Sequence, residues 1–539
     1  MADEAALDVA LAAVSARAAA ADCVATVMRR RGAGADVLVR RRAGVQAELR
    51  VAVIGCGRRH AGASCDSTSA RDVALTRGSR SNVDAGKSTL ISVLCGSSLD
   101  DGRGAARRKI FRHVHEQETG RTSSISQMSA CFSADGRMLN DASSHHKQQD
   151  LIDDASKVVC FVDLAGHERY LRTTCFGLTG HLPEYAMVLV GANAGLVGMC
   201  KEQCVARLAA LLRCPLSRVR CPPCSGSLGI ALALRVPAFF VVSKIDFAPE
   251  EITKATVQEL CTVLKKPGVR KRPFVVRTEG DVYAAAANMA SDSIAPIFLV
   301  SSVDGRGLDH LRLFLNLLPQ RHAWGAKEHD DVQFVIDEVF TVPGVGTVVA
   351  GTLLAGVLTE ATPRLLLGPD AGDSGFKPAA LKSIHYKRVP ATRVVAGQAA
   401  ALALKKVKRS AVRKGMVLVS AALQPQARWE MCAEIAILTH SSTIACRYQA
   451  VVHVGVVRQT ACIVAMSVEV LRSGDRARVR FRFMQRPEYV RPGDRFIFRE
   501  GRTKGIGLVL PWNPDDPPPP PPGPTTVAAA AAALEAASV

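Results

Sequence analysis

The sequence contains the run Asn82-Val83-Asp84-Ala85-Gly86-Lys87-Ser88-Thr89-Leu90, and apolar residues follow it at helical spacing. This pattern predicts a helix whose free backbone N–H groups face an anion. We expect the Lys87 ammonium to reach the outer phosphates of a nucleotide and the Ser88 hydroxyl to ligate Mg²⁺. The alternative is an ordinary helix start that contains Gly-Lys-Ser by chance, so the other motifs must decide.

The phosphate-loop pattern also needs a glycine five positions before Gly86, and Ser81 stands there. A suitable glycine, Gly55, ends an apolar strand over residues 49–55. Joining Gly55 directly to Asn82 gives a complete strand, loop and helix. We therefore infer that residues 56–81 are an insert, and that residues 203–227 are a second one. Both are hypothesised to be retained introns; the alternative is a real surface excursion, which loop entropy tolerates.

The composition indicates a chain of several domains, since 539 residues are too many for one core. A net charge of +20, part of it from the two inserts, favours a polyanionic partner such as nucleic acid. No apolar run reaches membrane-spanning length and no secretory signal is recognisable, so a cytoplasmic protein with no membrane partner is expected, and an organelle transit peptide is left open as the alternative. The sixteen cysteines are typical of reduced thiols, with Cys221-Pro-Pro-Cys224 at most half a zinc site.

Between residues 49 and 320, apolar strands alternate with helical patterns, and the strands are predicted at 49–55, 158–163, 186–191, 238–243 and 296–300. Continuous apolar runs are typical of a mostly parallel sheet with helices on both faces. The fold class expected for this region is α/β, of the nucleotide-binding P-loop type. Ligands of such sheets bind beyond the carboxyl ends of the strands.

The remaining segments have different patterns. Residues 1–48 predict a short helix and a β-hairpin. Residues 328–422 and 428–510 are rich in short strands and predict two all-β barrels, and residues 511–539 form a low-complexity Pro/Ala tail.

Three further motifs complete a candidate phosphate and metal site. Asp163 ends a strand and is expected to hold Mg²⁺, while Gly166 lets the backbone approach the γ-phosphate. Thr122 lies in a segment that can bind Mg²⁺ and the γ-phosphate and release them after hydrolysis. His167 either orients the attacking water or caps a helix, and the chemistry alone leaves both roles open.

Two strand ends predict the contacts to the base. The Asp246 carboxylate can accept hydrogen bonds from the N1–H and 2-amino groups of guanine, which adenine does not offer, and the Lys244 stem would lie along the base. Ser243 replaces the usual Asn that braces the phosphate loop, and it can do part of this over a shorter reach. At Ser301 a backbone N–H is expected to meet guanine O6.

Together these motifs resemble the translational GTPases of the elongation factor Tu and elongation factor one-alpha class. Longer strings are similar to the GTP-binding protein one and two subfamily, namely Leu99-Asp-Asp-Gly-Arg-Gly-Ala-Ala-Arg107, Phe111-Arg-His113, Gly120-Arg-Thr-Ser-Ser124, Phe176-Gly-Leu-Thr-Gly-His-Leu-Pro183 and Phe498-Arg-Glu-Gly-Arg-Thr-Lys-Gly505. The resemblance covers residues 23–510 apart from the two inserts. It implies a P-loop GTPase domain followed by two β-barrels.

The resemblance also implies an activity: binding of GTP and GDP with Mg²⁺, and hydrolysis with His167 in the water-orienting role. The nucleotide-binding residues it implies are Asn82, Val83, Asp84, Ala85, Gly86, Lys87, Ser88, Thr89, Asp163, Gly166, Ser243, Lys244, Asp246 and Ser301. Its metal residues are Ser88, Thr122 and Asp163. The implied partner is RNA or the ribosome, through tRNA or the mRNA-decay machinery, and candidate basic patches lie at residues 405–409 with 413–414, at 385–388 and at 476–482.

Two rival functions remain open at this point. One is an RNA-binding protein that has lost turnover because its nucleotide loop is interrupted. The other is a related metabolic GTPase such as a sulfate-activation subunit, although the Asn-Lys base motif of that class is absent. The sequence does not predict an oligomeric state.

Overall fold

The computed structural model describes residues 10–17, 23–31, 34–41, 48–55, 85–96, 98–108, 110–111, 113–119, 122, 124–140, 148–164, 171–194, 236–265, 271–370, 375–440, 442–500 and 503–512. The two inserts and the Pro/Ala tail beyond Trp512 lie outside these residues. The chain divides into two compact units, one comprising most residues up to Ala323 and the other comprising Thr179–His181 and the residues from Trp324 onward. Within the described ranges, no helix is long and apolar enough to span a membrane.

The elements of the first part of the chain follow one another as strands and helices. They are α1 (residues 10–17), β1 (Cys23–Arg31), β2 (Gly34–Arg41), β3 (Glu48–Gly55), α2 (Lys87–Gly96), α3 (Ala105–Arg108), α4 (Val114–Thr119), β4 (Ser126–Phe132), α5 (Gln148–Asp153), β5 (Lys157–Asp163), α6 (Leu171–Gly180), β6 (Tyr185–Gly191), β7 (Ala238–Ser243), α7 (Glu250–Lys265), β8 (Arg272–Val275), α8 (Glu279–Asn288), β9 (Ile294–Leu299) and α9 (Leu308–Leu317). Strands β1 and β2 pair antiparallel, as a hairpin requires.

The described strands of the α/β region form a seven-stranded sheet in the order β4-β5-β3-β6-β7-β9-β8. All neighbours pair parallel except β4 and β5, so the predicted fold class is confirmed. The five strands predicted from apolar runs all exist, with ends within two residues of the prediction. Strands β4 and β8 were not predicted because they lie at the two edges of the sheet and are only partly buried, so neither has a continuous apolar run.

The centre of this sheet is buried on both faces. Every residue of β6 and of β7 is buried. On one face the rings of Phe239 on β7 and Phe298 on β9 pack against Phe314 of α9, with centroid distances of 5.1 and 4.8 Å. Burying each such ring contributes roughly 2–3 kcal/mol. A core of this kind gives a firm base for the loops that leave the carboxyl ends of the strands.

The second unit is built from short antiparallel strands. They are β10 (Gln333–Val342), β11 (Gly346–Ala355), β12 (Val357–Thr359), β13 (Leu365–Gly368), β14 (Lys377–Ala379), β15 (Leu381–Tyr386), β16 (Val389–Pro390), β17 (Arg393–Val395), β18 (Ala399–Leu404), β19 (Val417–Ser420), β20 (Glu430–Thr439), β21 (Gln449–Val454), β22 (Val457–Met466), β23 (Arg476–Phe483), β24 (Arg495–Glu500) and β25 (Thr503–Val509).

Of the two regions predicted as barrels, the second is a closed barrel in the order β20-β23-β22-β21-β24-β25. The first contains an eight-stranded antiparallel sheet in the order β14-β13-β19-β10-β11-β18-β15-β16, with a separate pair of β12 and β17. Alternation decides these strands: the burial of β23 alternates, with its arginines outward and Ala477, Val479, Phe481 and Phe483 in the core.

Glycines let two aromatic rings fill the closed barrel. Phe498 on β24 lies opposite Gly505 on β25, and Phe496 lies opposite Gly507. A Cβ at either glycine would overlap the ring of its partner. Each ring therefore packs over the backbone of the neighbouring strand, a pairing that specifies the register of β24 and β25.

Candidate nucleotide-binding site

The predicted phosphate-binding helix begins where the motif places it. Helix α2 starts at Lys87, and the Leu90 N–H donates to the Gly86 carbonyl at 2.8 Å. Gly86 has φ +74°, a left-handed conformation in which a side chain would be strained. Lys87 and Ser88 are buried, Thr89 is half-buried, and Ala85 approaches Gly191 at the carboxyl end of β6. The start of α2 thus faces the edge of the sheet at which ligands bind.

Three oxygen atoms from distant parts of the chain meet beside this helix start. The Ser88 hydroxyl donates to Asp163 Oδ2 at 2.6 Å and lies 2.8 Å from the Thr122 hydroxyl. Thr122 Oγ1 lies 3.4 Å from the same carboxylate oxygen. The structure therefore brings together all three residues that the sequence suggested as metal ligands.

The chemistry of this cluster fits a small divalent cation. The other carboxylate oxygen, Asp163 Oδ1, is buried and has no hydrogen-bond partner among the described residues. The donors are all oxygens, which Mg²⁺ prefers, and Mg²⁺ usually completes its shell with water and phosphate oxygens. The described residues contain no group of three or more His, Cys, Asp or Glu that could hold a metal. A cation at this place would accordingly depend on the two hydroxyls and one carboxylate.

Burial dominates the electrostatics of the cluster. It raises the pKa of the Asp163 carboxyl, while the Lys87 charge and the hydrogen bonds from Ser88 and Thr122 lower that pKa. The net effect is a raised pKa, so the buried carboxyl is less readily charged than an exposed one, and a cation beside it would favour its charged form.

Sequence reasoning missed Glu116, a buried residue of α4 that positions the segment carrying Thr122. One of its carboxylate oxygens accepts from the N–H and the hydroxyl of Ser124, at 2.9 and 3.0 Å. The other accepts from the His113 N–H at 3.3 Å. The sequence gives only a weak signal for this role. Glu116 is the third residue of α4, where the Glu of a capping box occurs, but the Ser or Thr that such a box needs before the helix is absent.

The base-side residues of β7 contact the phosphate loop. Ser243 is buried, and its hydroxyl donates to the Ala85 carbonyl at 2.7 Å and lies 3.4 Å from the Val190 carbonyl. The shorter side chain thus makes a bracing contact of the type expected at this position. Lys244 has φ +62°, and its Cε lies 3.9 Å from the Cβ position of Gly86. Asp246 follows in the next turn and is exposed.

The loop after β9 is shaped by Ser301. Its N–H donates to the Arg306 carbonyl at 3.0 Å, and its hydroxyl accepts from the N–H groups of Val303 and Asp304, both at 3.2 Å. Ser301 is fully buried, and the Arg306 carbonyl already engages the amide that the sequence predicted to meet guanine O6. The Ser302 N–H donates to no other described residue, and the sequence analysis had not singled it out.

Five predicted site residues are not placed by the structure. Asn82, Val83, Asp84, Gly166 and His167 lie outside the described residues. Their roles stay predictions from the sequence. The predicted residues that the structure does describe lie at the start of α2, in the segment around Thr122, and at the carboxyl ends of β5, β7 and β9.

The basic patches are only partly as predicted. Lys405, Lys406, Lys408 and Arg409 are exposed, as a nucleic-acid surface requires. Including Arg413 was wrong: its guanidinium makes a bidentate ion pair with the buried Glu488, at 3.0 and 3.3 Å.

Two of the four arginines of β23 already contact other side chains, which leaves them less free to bind nucleic acid. Arg482 lies 3.9 Å from Glu430, and Arg480 is half-buried and stacks on Trp512. Residues 405–409 contain three exposed lysines, Lys405, Lys406 and Lys408, and an exposed Arg409.

Comparisons with known proteins show which proteins this chain resembles. Residues 78–321 match the family described as "Elongation factor Tu GTP binding domain". The chain is 48% identical over 431 residues to GTP-binding protein 1 of Xenopus laevis, an alignment covering 79% of this chain and 62% of that protein. It is 43% identical over 435 residues to GTP-binding protein 2 of Homo sapiens, covering 79% of this chain and 67% of that protein.

The solved structures extend the similarity of fold to both units. The chain matches translation elongation factor SelB from Methanococcus maripaludis, in complex with the GTP analogue GppNHp, with a TM-score of 0.54 and 16% identity. The match covers 88% of this chain and 81% of that one.

Proposed function

Because the chain belongs to the GTP-binding protein 1/2 family of translational GTPases, we propose that it binds GTP with Mg²⁺ and hydrolyses it to GDP and phosphate. The observation that carries this proposal is the meeting of Ser88, Thr122 and Asp163 beside the start of α2. Three residues separated by 34 and 41 positions converge there, at the place where the phosphates of a nucleotide would meet a metal ion.

Each part of the site has a role in binding. The start of α2 and the Lys87 ammonium hold the phosphate groups. Ser88, Thr122 and Asp163 would hold Mg²⁺, which neutralises charge on the β- and γ-phosphate oxygens. Because Ser88 and Asp163 are buried, the phosphate groups meet these residues in a place of low dielectric, where each charge interaction is stronger than in water.

The base would be read by the loops after β7 and β9. The Asp246 carboxylate accepts from two guanine donors, and the Lys244 stem covers the base while its Cε stays near Gly86. The Ser243 hydroxyl donates to the Ala85 carbonyl and so links the phosphate loop to the end of β7, which leads into the base-side loop. Adenine lacks the donor pair that Asp246 would accept, so GTP is favoured over ATP.

Hydrolysis needs a positioned water more than it needs covalent chemistry. The water oxygen attacks the γ-phosphorus, the bond from that phosphorus to the bridging oxygen breaks, and GDP leaves with its electron pair. We assign the water-orienting role to His167, which follows Asp163-Leu-Ala-Gly166 in the sequence. Thr122, near the end of a segment anchored by Glu116, would release when the γ-phosphate is gone.

The partner we propose is RNA or the ribosome, reached through tRNA or the mRNA-decay machinery, and the proposed location is the cytoplasm. Support comes from the net charge of +20 and from the exposed lysines of residues 405–409. In GTPases that act as switches, the GTP form engages the partner and the GDP form releases it.

The interrupted phosphate loop bears on this function. Strand β3 occupies the sheet between β5 and β6 and ends at Gly55, whereas the next described residue is Ala85. If residues 56–81 are a retained intron, transcript sequencing should join Gly55 to Asn82. Peptides from residues 56–81 in cellular protein would contradict that hypothesis.

The decisive experiment is a titration with GTP, GDP and ATP, in Mg²⁺ and in EDTA, of the full chain and of a chain lacking residues 56–81. We expect guanine nucleotides to bind at least tenfold more tightly than ATP, and Mg²⁺ to tighten GTP binding. An Asp246→Asn variant should lose GTP and gain xanthosine triphosphate, because the amide donates where xanthine has a carbonyl. Equal binding of GTP and ATP by both chains would overturn the proposal.

A further inference from the structure

Two turns in the α/β region, one after α2 and one after β9, share one sequence. Residues 101–104 and residues 304–307 are both Asp-Gly-Arg-Gly. In each turn the Asp side chain accepts from the backbone N–H of the Arg, at 2.8 Å for Asp101 and 3.1 Å for Asp304. All four glycines have positive φ, between +73° and +90°. The two turns therefore have similar local structures, and each leads into a helix, α3 or α9.

The two turns also pack against each other in a reciprocal way. Leu99, which precedes the first turn, lies 3.6 Å from the Cβ position of Gly305 in the second. Val303, which precedes the second turn, lies 4.0 Å from the Cβ position of Gly102 in the first. The Asp100 N–H donates to the Ser302 carbonyl at 2.9 Å and joins them. We call this paired arrangement of residues 99–104 and 302–307 the double turn.

The double turn connects the two ends of the candidate site. Its first half follows α2, which begins with the phosphate-binding residues Lys87 and Ser88. Its second half contains Ser302, which comes directly after the buried Ser301 in the base-side loop. Asp100 is itself fixed, because its side chain accepts from the Ala106 N–H at 2.9 Å. The position of the base-side loop thus depends on contacts made by residues that follow the phosphate-binding helix.

We propose that Leu99 and Val303 are positioning residues that set how long guanine nucleotide stays bound. This inference rests on the proposed guanine-nucleotide site. The two side chains are 49% and 39% exposed, so they contribute less to the folded core than buried residues do. Their contacts fall on glycines of the opposite turn, so shortening either side chain loosens the base-side loop. It leaves the Ser88, Thr122 and Asp163 cluster in place.

The test is the dissociation rate of N-methylanthraniloyl-GDP from the full chain, measured by displacement with excess GDP. We expect Leu99→Ala and Val303→Ala each to raise the rate about threefold to tenfold, which corresponds to about 0.7–1.4 kcal/mol. The same factor should appear in Mg²⁺ and in EDTA, because the loosened loop is on the base side. Leu99→Met should keep the wild-type rate, since it preserves an apolar contact of similar volume.

The matched control is Leu139→Ala, a Leu that packs on Cys131 and Val158 at the opposite edge of the sheet. It should lower stability without changing the dissociation rate. If wild-type protein binds the nucleotide and Leu99→Ala releases it at the wild-type rate, the inference on the double turn is wrong. If neither the wild-type chain nor the chain lacking residues 56–81 binds guanine nucleotide, the proposed function itself fails.

Discussion

Replacing Ser243 with Ala tests whether one hydroxyl sets the geometry between phosphate and base. The change removes the 2.7 Å hydrogen bond to the Ala85 carbonyl, in a place where Ser243 is 3% exposed. A buried carbonyl left without this donor costs about 1–3 kcal/mol. Because Ala85 directly precedes the glycine of the phosphate loop, we expect most of that cost to appear in nucleotide affinity. The dissociation constant for GTP should therefore rise about 5- to 150-fold.

The assay is an equilibrium titration with GTP in Mg²⁺, with the thermal unfolding midpoint recorded for each variant. Ser243→Thr keeps a hydroxyl and should recover part of the affinity. The control is Ser473→Ala, which removes a hydroxyl that donates to the His440 carbonyl at 2.9 Å in the closed barrel. It should leave GTP affinity unchanged. The reasoning is refuted if Ser243→Ala binds GTP as tightly as the wild type while remaining folded.

Three other predictions concern the second unit. Glu488→Gln leaves the Arg413 charge without its partner and should lower the free energy of unfolding by about 3 kcal/mol in chemical denaturation; an unchanged midpoint would show that the pair is dispensable. Gly505→Ala should cost about 1–3 kcal/mol because the Phe498 ring must move, whereas Gly325→Ala, with no atom within 4 Å of the new Cβ, should cost little. Replacing Lys405, Lys406 and Lys408 together with Gln should weaken binding to a structured RNA and reduce its salt dependence by up to three charges, as measured by filter binding across a salt series; equal binding at every salt concentration would remove these lysines from the proposed interface.

The sheet could be predicted because its central strands carry a strong signal. Strands β3, β5, β6, β7 and β9 are short apolar runs with turn residues after them, and both faces of such strands are covered. Because the carboxyl ends of parallel strands meet at one edge of a sheet, Ser88, Asp163 and Ser243 could be predicted to lie at the same edge. Edge strands β4 and β8 carry no such signal, because one side of each strand is open.

The contacts that the sequence did not reveal are those that depend on how separate turns and strands are placed in the fold. Arg413 was grouped with neighbouring lysines, yet its partner Glu488 lies 75 residues further along the chain. Glu116 and the double turn were missed for a similar reason: both depend on a backbone N–H meeting an acceptor in another turn, and local composition does not encode that meeting. The engaged amide of Ser301 likewise depends on Arg306, through a turn that periodicity does not describe.

Strand β3 carries a consequence for how this chain should be judged experimentally. It pairs with β5 from Glu48 to Val53 and with β6 from Val51 to Gly55. The pairing of β3 in the sheet therefore does not depend on the sequence that follows Gly55. A chain with a lengthened nucleotide loop can unfold cooperatively at an ordinary temperature and still bind no nucleotide. Normal elution from a column or a normal thermal unfolding curve therefore does not show that the site is intact, and nucleotide binding must be measured directly.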